Sequence, residues 1–211
     1  MGYQLTGDQL KAAMRRIGDI QRQLGQEEYP HCPKALLDAL QAVGEGRFGD
    51  ILPILCLISG GHELVIDETD GTETILGAKD VFPGGIDSDF VHWGADEPSG
   101  PTPKTPVDVY ELAQDGTFEQ MFGSICSNPE RLCFIQSQII GFVKKYPNWL
   151  HPRGWSTFFP FRSKGNFFVA VVGARGDGRL CAGVRRRGYG RVWGAGRRLR
   201  VVFPQLRPFV S

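Results

Sequence analysis

The strongest constraint on the fold of this 211-residue chain lies between Trp155 and Phe203, where apolar and polar residues alternate and glycines punctuate the runs. Alternation with a period of two puts successive side chains on opposite faces of a strand. It predicts a meander of four antiparallel strands over 156–162, 166–172, 179–187 and 197–203. Ser163-Lys164-Gly165-Asn166 and Ala174-Arg175-Gly176-Asp177-Gly178 suit tight turns, because glycine supplies the backbone angles they need. The third connection, Gly188 to Gly196, carries four glycines and Trp193 and is longer.

Upstream of this stretch the period is mostly helical. Thr6-x-x-Gln9 has the form of a capping box, followed by Leu10, Met14, Ile17 and Leu24 at helical spacing up to Gly25. Pro33 suits the first turn of a second helix, with Leu36, Leu37, Leu40 and Val43 inward and Gly44 as its stop. Ile51 to Ile58 reads as a strand interrupted at Pro53, which favours an edge position. Residues 62–67 and 72–77 flank Asp70-Gly71, a hairpin signal. Four prolines in 98–106 predict a linker or surface strap. A helix is then expected from Thr105-Pro106, carrying Val107, Tyr110 and Leu112. A second opens at the capping-box match Thr117-x-x-Gln120, and a third covers 136–146, before Pro147.

These elements predict the α+β class: N-terminal helices with a short β-hairpin sheet, then helices followed by a four-stranded antiparallel β-meander. The expected organisation is an acidic lobe over 1–97, a proline-rich strap over 98–106 and a basic lobe over 107–211. Ile51–Ile58, the longest apolar run, is too short to span a membrane, and Met1-Gly2-Tyr3-Gln4 lacks the features of a secretory signal. A soluble, cytoplasmic protein is therefore expected.

Five cysteines, Cys32, Cys56, Cys126, Cys133 and Cys181, are odd in number and widely spread, so no disulfide framework is expected. His31-Cys32 and the pair Cys126/Cys133 lack the local spacing of zinc ligands. No metal and no cofactor are expected.

Charge carries most of the functional information. Residues 1–97 hold 7 basic and 17 acidic residues, whereas 107–211 hold 16 basic and 6 acidic. The formal net charge of +1 hides this contrast. Such asymmetry points to electrostatic partnering. If Leu180, Ala182 and Val184 face the core, then Arg179, Arg185 and Arg187 face away. If Leu199, Val201 and Phe203 face the core, then Arg198 and Arg200 likewise face away. Were the two strands neighbours, five guanidiniums would share one sheet face, with Arg191 and Arg197 at its edge.

Three occupants fit that face. Nucleic acid would meet guanidiniums suited to phosphates and aromatics such as Phe159, Phe168, Tyr189 or Trp193 suited to bases. The acidic lobe would neutralise it within one chain or between chains, through the carboxylates of 67–73 and 87–97. An acidic protein or an anionic lipid surface would also complement it. No nucleic-acid-binding signature accompanies the arginines, so the indication is compositional.

Signals of catalysis are sparse. The chain has no phosphate-binding P-loop and no GxSxG elbow. Ser59-Gly60-Gly61-His62 reads as a glycine turn before a strand, and His92 as a loop histidine near Asp87 and Asp89. An enzyme would need a pocket formed around His62, His92 and the carboxylates. Asp67-x-x-Asp70-Gly71-x-Glu73 lacks the ligand order of an EF-hand. Arg175-Gly176-Asp177 has the form of an adhesion tripeptide on a turn.

At QSQIIGFVKKYPNWL (136–150), STFFPF (156–161), NFFVAVV (166–172) and RVVFPQL (200–206) the chain resembles uncharacterised small proteins of uncultured bacteria. That resemblance implies a bacterial chain and transfers no activity, cofactor or site residue. The Gly/Arg run 173–200 departs from it. The expectation is a non-enzymatic binding protein whose Arg179, Arg185, Arg187, Arg191, Arg198 and Arg200 engage a polyanion, with nucleic acid foremost. The alternatives are a structural or interaction module whose charged lobes dock or self-associate, and an enzyme with a pocket between lobes.

Overall fold

The structure, a computed structural model, describes residues 53–151 and 156–206. The helices predicted within 6–25 and 33–44 lie outside those residues. The described strands are β1 (Leu55–Leu57), β2 (Leu64–Ile66), β3 (Gly85–Ile86), β4 (Thr105–Leu112), β5 (Thr157–Ser163), β6 (Asn166–Ala174), β7 (Leu180–Arg186) and β8 (Arg200–Pro204). Among the described residues three α-helices join them: α1 (Asp89–His92), α2 (Phe118–Ile125) and α3 (Gln136–Lys145). The strands form one mixed sheet in the order β1-β4-β8-β5-β6-β7-β3, with β2 also paired to β4. The β5–β8 and β3–β7 pairs are parallel and the others antiparallel.

The expected four-stranded antiparallel meander with a separate hairpin sheet is therefore corrected. β5, β6 and β7 do run as a meander. Lys164 and Gly165, with φ of 48° and 76°, make the first turn, since two consecutive positive-φ residues match the twist of the flanking strands. β8, however, does not follow β7 in the sheet. The connection between them carries Trp193 into the apolar layer, where its ring lies 4.7 Å from Phe158 and 5.4 Å from Phe118. Burying that indole draws the chain across the face of the sheet, so β8 enters beyond β5, parallel to it and antiparallel to β4.

The hairpin at Asp70-Gly71 is a second correction. The local turn forms: Asp70 accepts from Thr72 N and Thr72 Oγ1, each at 2.9 Å, and Gly71 has φ of 80°. Residues 72–77 nevertheless build no strand, because their backbone donors are bound by side chains. Ile75 N donates to Gln136 Oε1 at 2.9 Å, and Leu76 N donates to Asp96 Oδ1 at 2.9 Å. β2 pairs with β4 instead. There Ser59 makes a bulge, its Oγ accepting from Val109 N at 2.9 Å, so β1 and β2 act as one interrupted edge strand.

The helix expected from Thr105-Pro106 is strand β4. Val107 and Val109 enter one apolar layer and Leu112 the other, a period-two pattern that the helical reading missed. Residues on both sides of the proline-rich segment thus share one sheet. The capping box at α2 forms as its sequence implies: Gln120 N donates to Thr117 Oγ1 at 3.3 Å and Thr117 N donates to Gln120 Oε1 at 2.9 Å.

Both faces of the sheet are covered. On one, Phe159, Phe161, Phe168, Ala170, Val172, Ala182, Val184 and Val202 pack beneath α3 and Phe90. On the other, Phe158, Val169, Val201 and Phe203 pack beneath α2, Trp193 and Leu199. This second layer ends before it reaches β7 and β3, and the candidate site lies in the part of the face left open. Among the described residues no helix is long and apolar enough to cross a membrane.

Candidate anion-binding face

Strand register decides which arginines share a face. Val201 pairs with Phe158, Phe158 with Val171, and Val171 with Gly183. These four residues therefore lie on the α2 side, together with Arg185, whose partner Val169 is in the α2-side core. Arg200 pairs with Thr157, Thr157 with Val172, and Val172 with Ala182, which places Arg200 on the α3 side. β7 and β8 are separated by β5 and β6. The five guanidiniums expected on one face are thus divided. Strand phase puts the arginines on one face only if the apolar residues point to a single core, whereas this sheet has a core on each side.

Each arginine now has definite surroundings. Arg179 is held by its own turn, Nε lying 2.8 Å from Asp177 Oδ2. Arg198 adopts a left-handed backbone (φ 50°) and reaches Glu111 Oε1 at 3.9 Å. Arg200 donates to the carbonyls of Leu150 at 2.8 Å and Asn148 at 3.4 Å. Its burial lowers the guanidinium pKa, with Glu111 opposing that shift.

The other three border the α2 side. Arg185 donates through Nη1 to Val184 O at 2.6 Å and reaches Asp87 Oδ2 at 3.3 Å. Its guanidinium lies 5.9 Å from the ring of Tyr189, which is 42% exposed. Arg187 lies over Phe167 at 5.4 Å, and its Nε is buried with no partner. Arg191 lies over Trp193 at 4.7 Å. Both rings belong to the edge of the α2-side core, so the cations sit on its rim. Such contacts orient a guanidinium without neutralising it.

A fourth arginine joins them. Between Arg185 and Ser156, just before β5, the surface sinks into a trough of about 400 Å³, lined by Gly85, Asp87, Ser156, Gly173, Arg175, Cys181, Gly183 and Arg185, with Ile86, Val171, Ala174 and Ala182. The concavity follows from sequence. Gly173, Cys181 and Gly85 form one row across β6, β7 and β3, and Gly183 lies in the next. Three small positions where neighbouring strands carry phenylalanine or valine leave the floor low. The sequence places Arg175 in the turn tripeptide Arg175-Gly176-Asp177. Its parity with Val171 and Gly173 was the signal that could have placed it here.

Four lysines have carboxylate partners, as do Arg162, Arg179, Arg185 and Arg198. Lys104, Lys144, Lys145 and Lys164 pair with Glu68, Glu73, Asp67 and Glu97. Among the described residues, Arg175, Arg187 and Arg191 form no salt bridge.

The catalytic candidates do not converge. Ser59 Oγ is engaged with Val109 N and lies 3.4 Å from Asp108 Oδ1. His62 meets Trp149 edge-on at 5.2 Å, and His92 is paired with Asp89 at 3.7 Å. The Asp67 carboxyl is lowered chiefly by its hydrogen bond to Lys145. Among the described residues no group of three or more His, Cys, Asp or Glu side chains could hold a metal ion. No protein-family model, no curated protein and no solved structure matches this chain.

Proposed function

We propose that this chain is a non-enzymatic binding protein whose α2-side sheet face engages a polyanion, with single-stranded nucleic acid as the ligand. The observation that carries this reading is the cluster of Arg175, Arg185, Arg187 and Arg191 on that face, three of them without a carboxylate partner among the described residues. Guanidiniums bind phosphate oxygens through paired hydrogen bonds. The exposed ring of Tyr189 beside Arg185 offers a stacking surface for a base.

Fluorescence anisotropy with a labelled oligonucleotide at rising salt tests the reading. Three phosphate contacts, one of them shared by Arg175 and Arg185, give a slope of roughly −2 in log K against log salt for a single strand. Replacing Arg187 and Arg191 by alanine should bring the slope to roughly −0.7. Affinity independent of salt between about 50 and 200 mM would overturn it.

A second reading, in which the charged segments dock on each other, is favoured by five ion pairs. They join acids of 67–97 to bases of 104–185: Asp67–Lys145, Glu68–Lys104, Glu73–Lys144, Asp87–Arg185 and Glu97–Lys164. If this is the main role of the asymmetry, high salt expands the scattering profile and added nucleic acid leaves it unchanged.

A further inference from the structure

We infer that the trough across β6, β7 and β3, beside Ser156, is a subsite for one phosphate group, a reading that rests on the polyanion proposal above. The floor is open backbone. A Cβ added at Gly183 would meet only ordinary contacts: Asp87 Oδ2 at 3.7 Å, Arg185 Nη1 at 3.9 Å and Val171 Cβ at 3.9 Å. The space above that glycine is therefore real, and the cavity of about 400 Å³ falls in the range of small-molecule sites.

Both walls carry guanidiniums. Gly85 has φ of 114°, and a Cβ there would stand 3.2 Å from Arg175 Nη2, so the Arg175 head group lies against the β3 backbone. Arg185 is fixed from the other side by Asp87 and the Val184 carbonyl. A tether of this kind holds a donor fork in place before a ligand arrives, which lowers the ordering cost of binding. Asp87 also sets the charge balance. Two guanidiniums and one carboxylate leave one positive charge, enough for one phosphate group and not for a run of them. Ser156 adds a hydroxyl to the lining.

The same phosphate chemistry is offered by an internal phosphodiester, by a strand's terminal phosphate and by a free mononucleotide. Titration calorimetry of the full chain with uridine 5′-monophosphate tests the subsite, with uridine and sodium acetate as controls. Gly183→Val fills the trough and Arg175→Ala removes one wall; thermal melts establish that each variant folds. Should Gly183→Val fail to fold, Arg175→Ala, at an exposed turn, carries the test alone.

The expected result is binding of the monophosphate by the wild type, competition by inorganic phosphate, none by acetate, and a loss of about tenfold or more in each folded variant. No binding, equal binding by uridine, equal competition by acetate, or unchanged affinity in the variants would overturn the subsite. Labelled strands with and without a 5′-phosphate then separate the sources. Tighter binding of the phosphorylated strand, lost in Gly183→Val, assigns a terminal phosphate; equal binding, weakened alike by that variant, assigns an internal one. Failure of the subsite leaves salt-dependent binding of strands by wild type and variants alike. Failure of the wider face leaves monophosphate binding without strand affinity beyond it.

Discussion

Gln136 offers a sharp test of how the irregular segment before β4 is held. Its side chain is 2% exposed and makes three bonds: Oε1 accepts from Ile75 N at 2.9 Å, and Nε2 donates to Ala95 O at 3.1 Å and Glu97 O at 3.0 Å. Gln136→Ala strands one amide and two carbonyls. At about 1–2 kcal/mol for each buried group left unpaired, the expected loss is about 3–6 kcal/mol. For a chain of this size that lowers Tm by roughly 6–24 °C.

Gln136→Glu separates the bonds from the packing. The new carboxyl can still accept from Ile75, but ionised it turns an oxygen on two carbonyls. Burial then raises its folded-state pKa above the unfolded value of about 4.3. A group raised in this direction keeps its contribution below the unfolded pKa and loses it as pH climbs through the folded one. Gln136→Glu should therefore melt nearer to wild type at about pH 4 than at about pH 8. Differential scanning calorimetry at both pH values reads this. A Gln136→Ala variant melting within about 3 °C of wild type would refute the reasoning, as would a Gln136→Glu penalty that ignores pH.

Three further outcomes follow from the same geometry. Phe118 is fully buried among Phe122, Phe158 and Trp193, at 5.6, 5.1 and 5.4 Å between ring centroids. Phe118→Ala should cost about 3–5 kcal/mol in denaturant unfolding and alter tryptophan emission. Burial pushes the Cys133 thiol up to about 12, so iodoacetamide at about pH 8 should label exposed Cys56 well before Cys133 in peptide maps. Asp67 is held below the usual carboxylate range, first by its hydrogen bond to Lys145. Its contribution is present above the unfolded pKa and lost as pH falls through the folded one, so Asp67→Asn should flatten the acid limb of a Tm–pH profile.

What could be read from the residues was local. The turn at Ser163–Asn166, the capping box at Thr117–Gln120 and the amphipathic helix before Pro147 each rest on chemistry within a few residues, and each recurs in the fold. What escaped was long-range. The 72–77 segment has strand-like residues, but its amides are taken by Gln136 and Asp96, which lie 61 and 20 positions away. β4 was missed for the opposite reason. Its alternation of Val107 and Val109 with Asp108 was there to be seen, and the preceding Thr-Pro drew the reading towards a helix start.

The arginines show why strand phase alone fails in a sheet covered on both sides. Where one face is wet, the apolar parity names the core and the polar parity names the surface. Here both parities of β6 are largely apolar: Phe168, Ala170 and Val172 enter one core, and Val169 enters the other with Phe167 and Val171 packed against it. On the α2 side of this sheet a charged residue marks a place where the covering layer stops. Arg185 marks the end of the α2-side layer, and glycines at 85, 173 and 183 mark the same boundary by lacking side chains. Arginine and glycine therefore report one feature together, a gap in the second layer. Filling that gap at Gly183 should alter ligand binding while leaving Arg187 and Arg191 on their aromatic supports, which separates the trough from the rim.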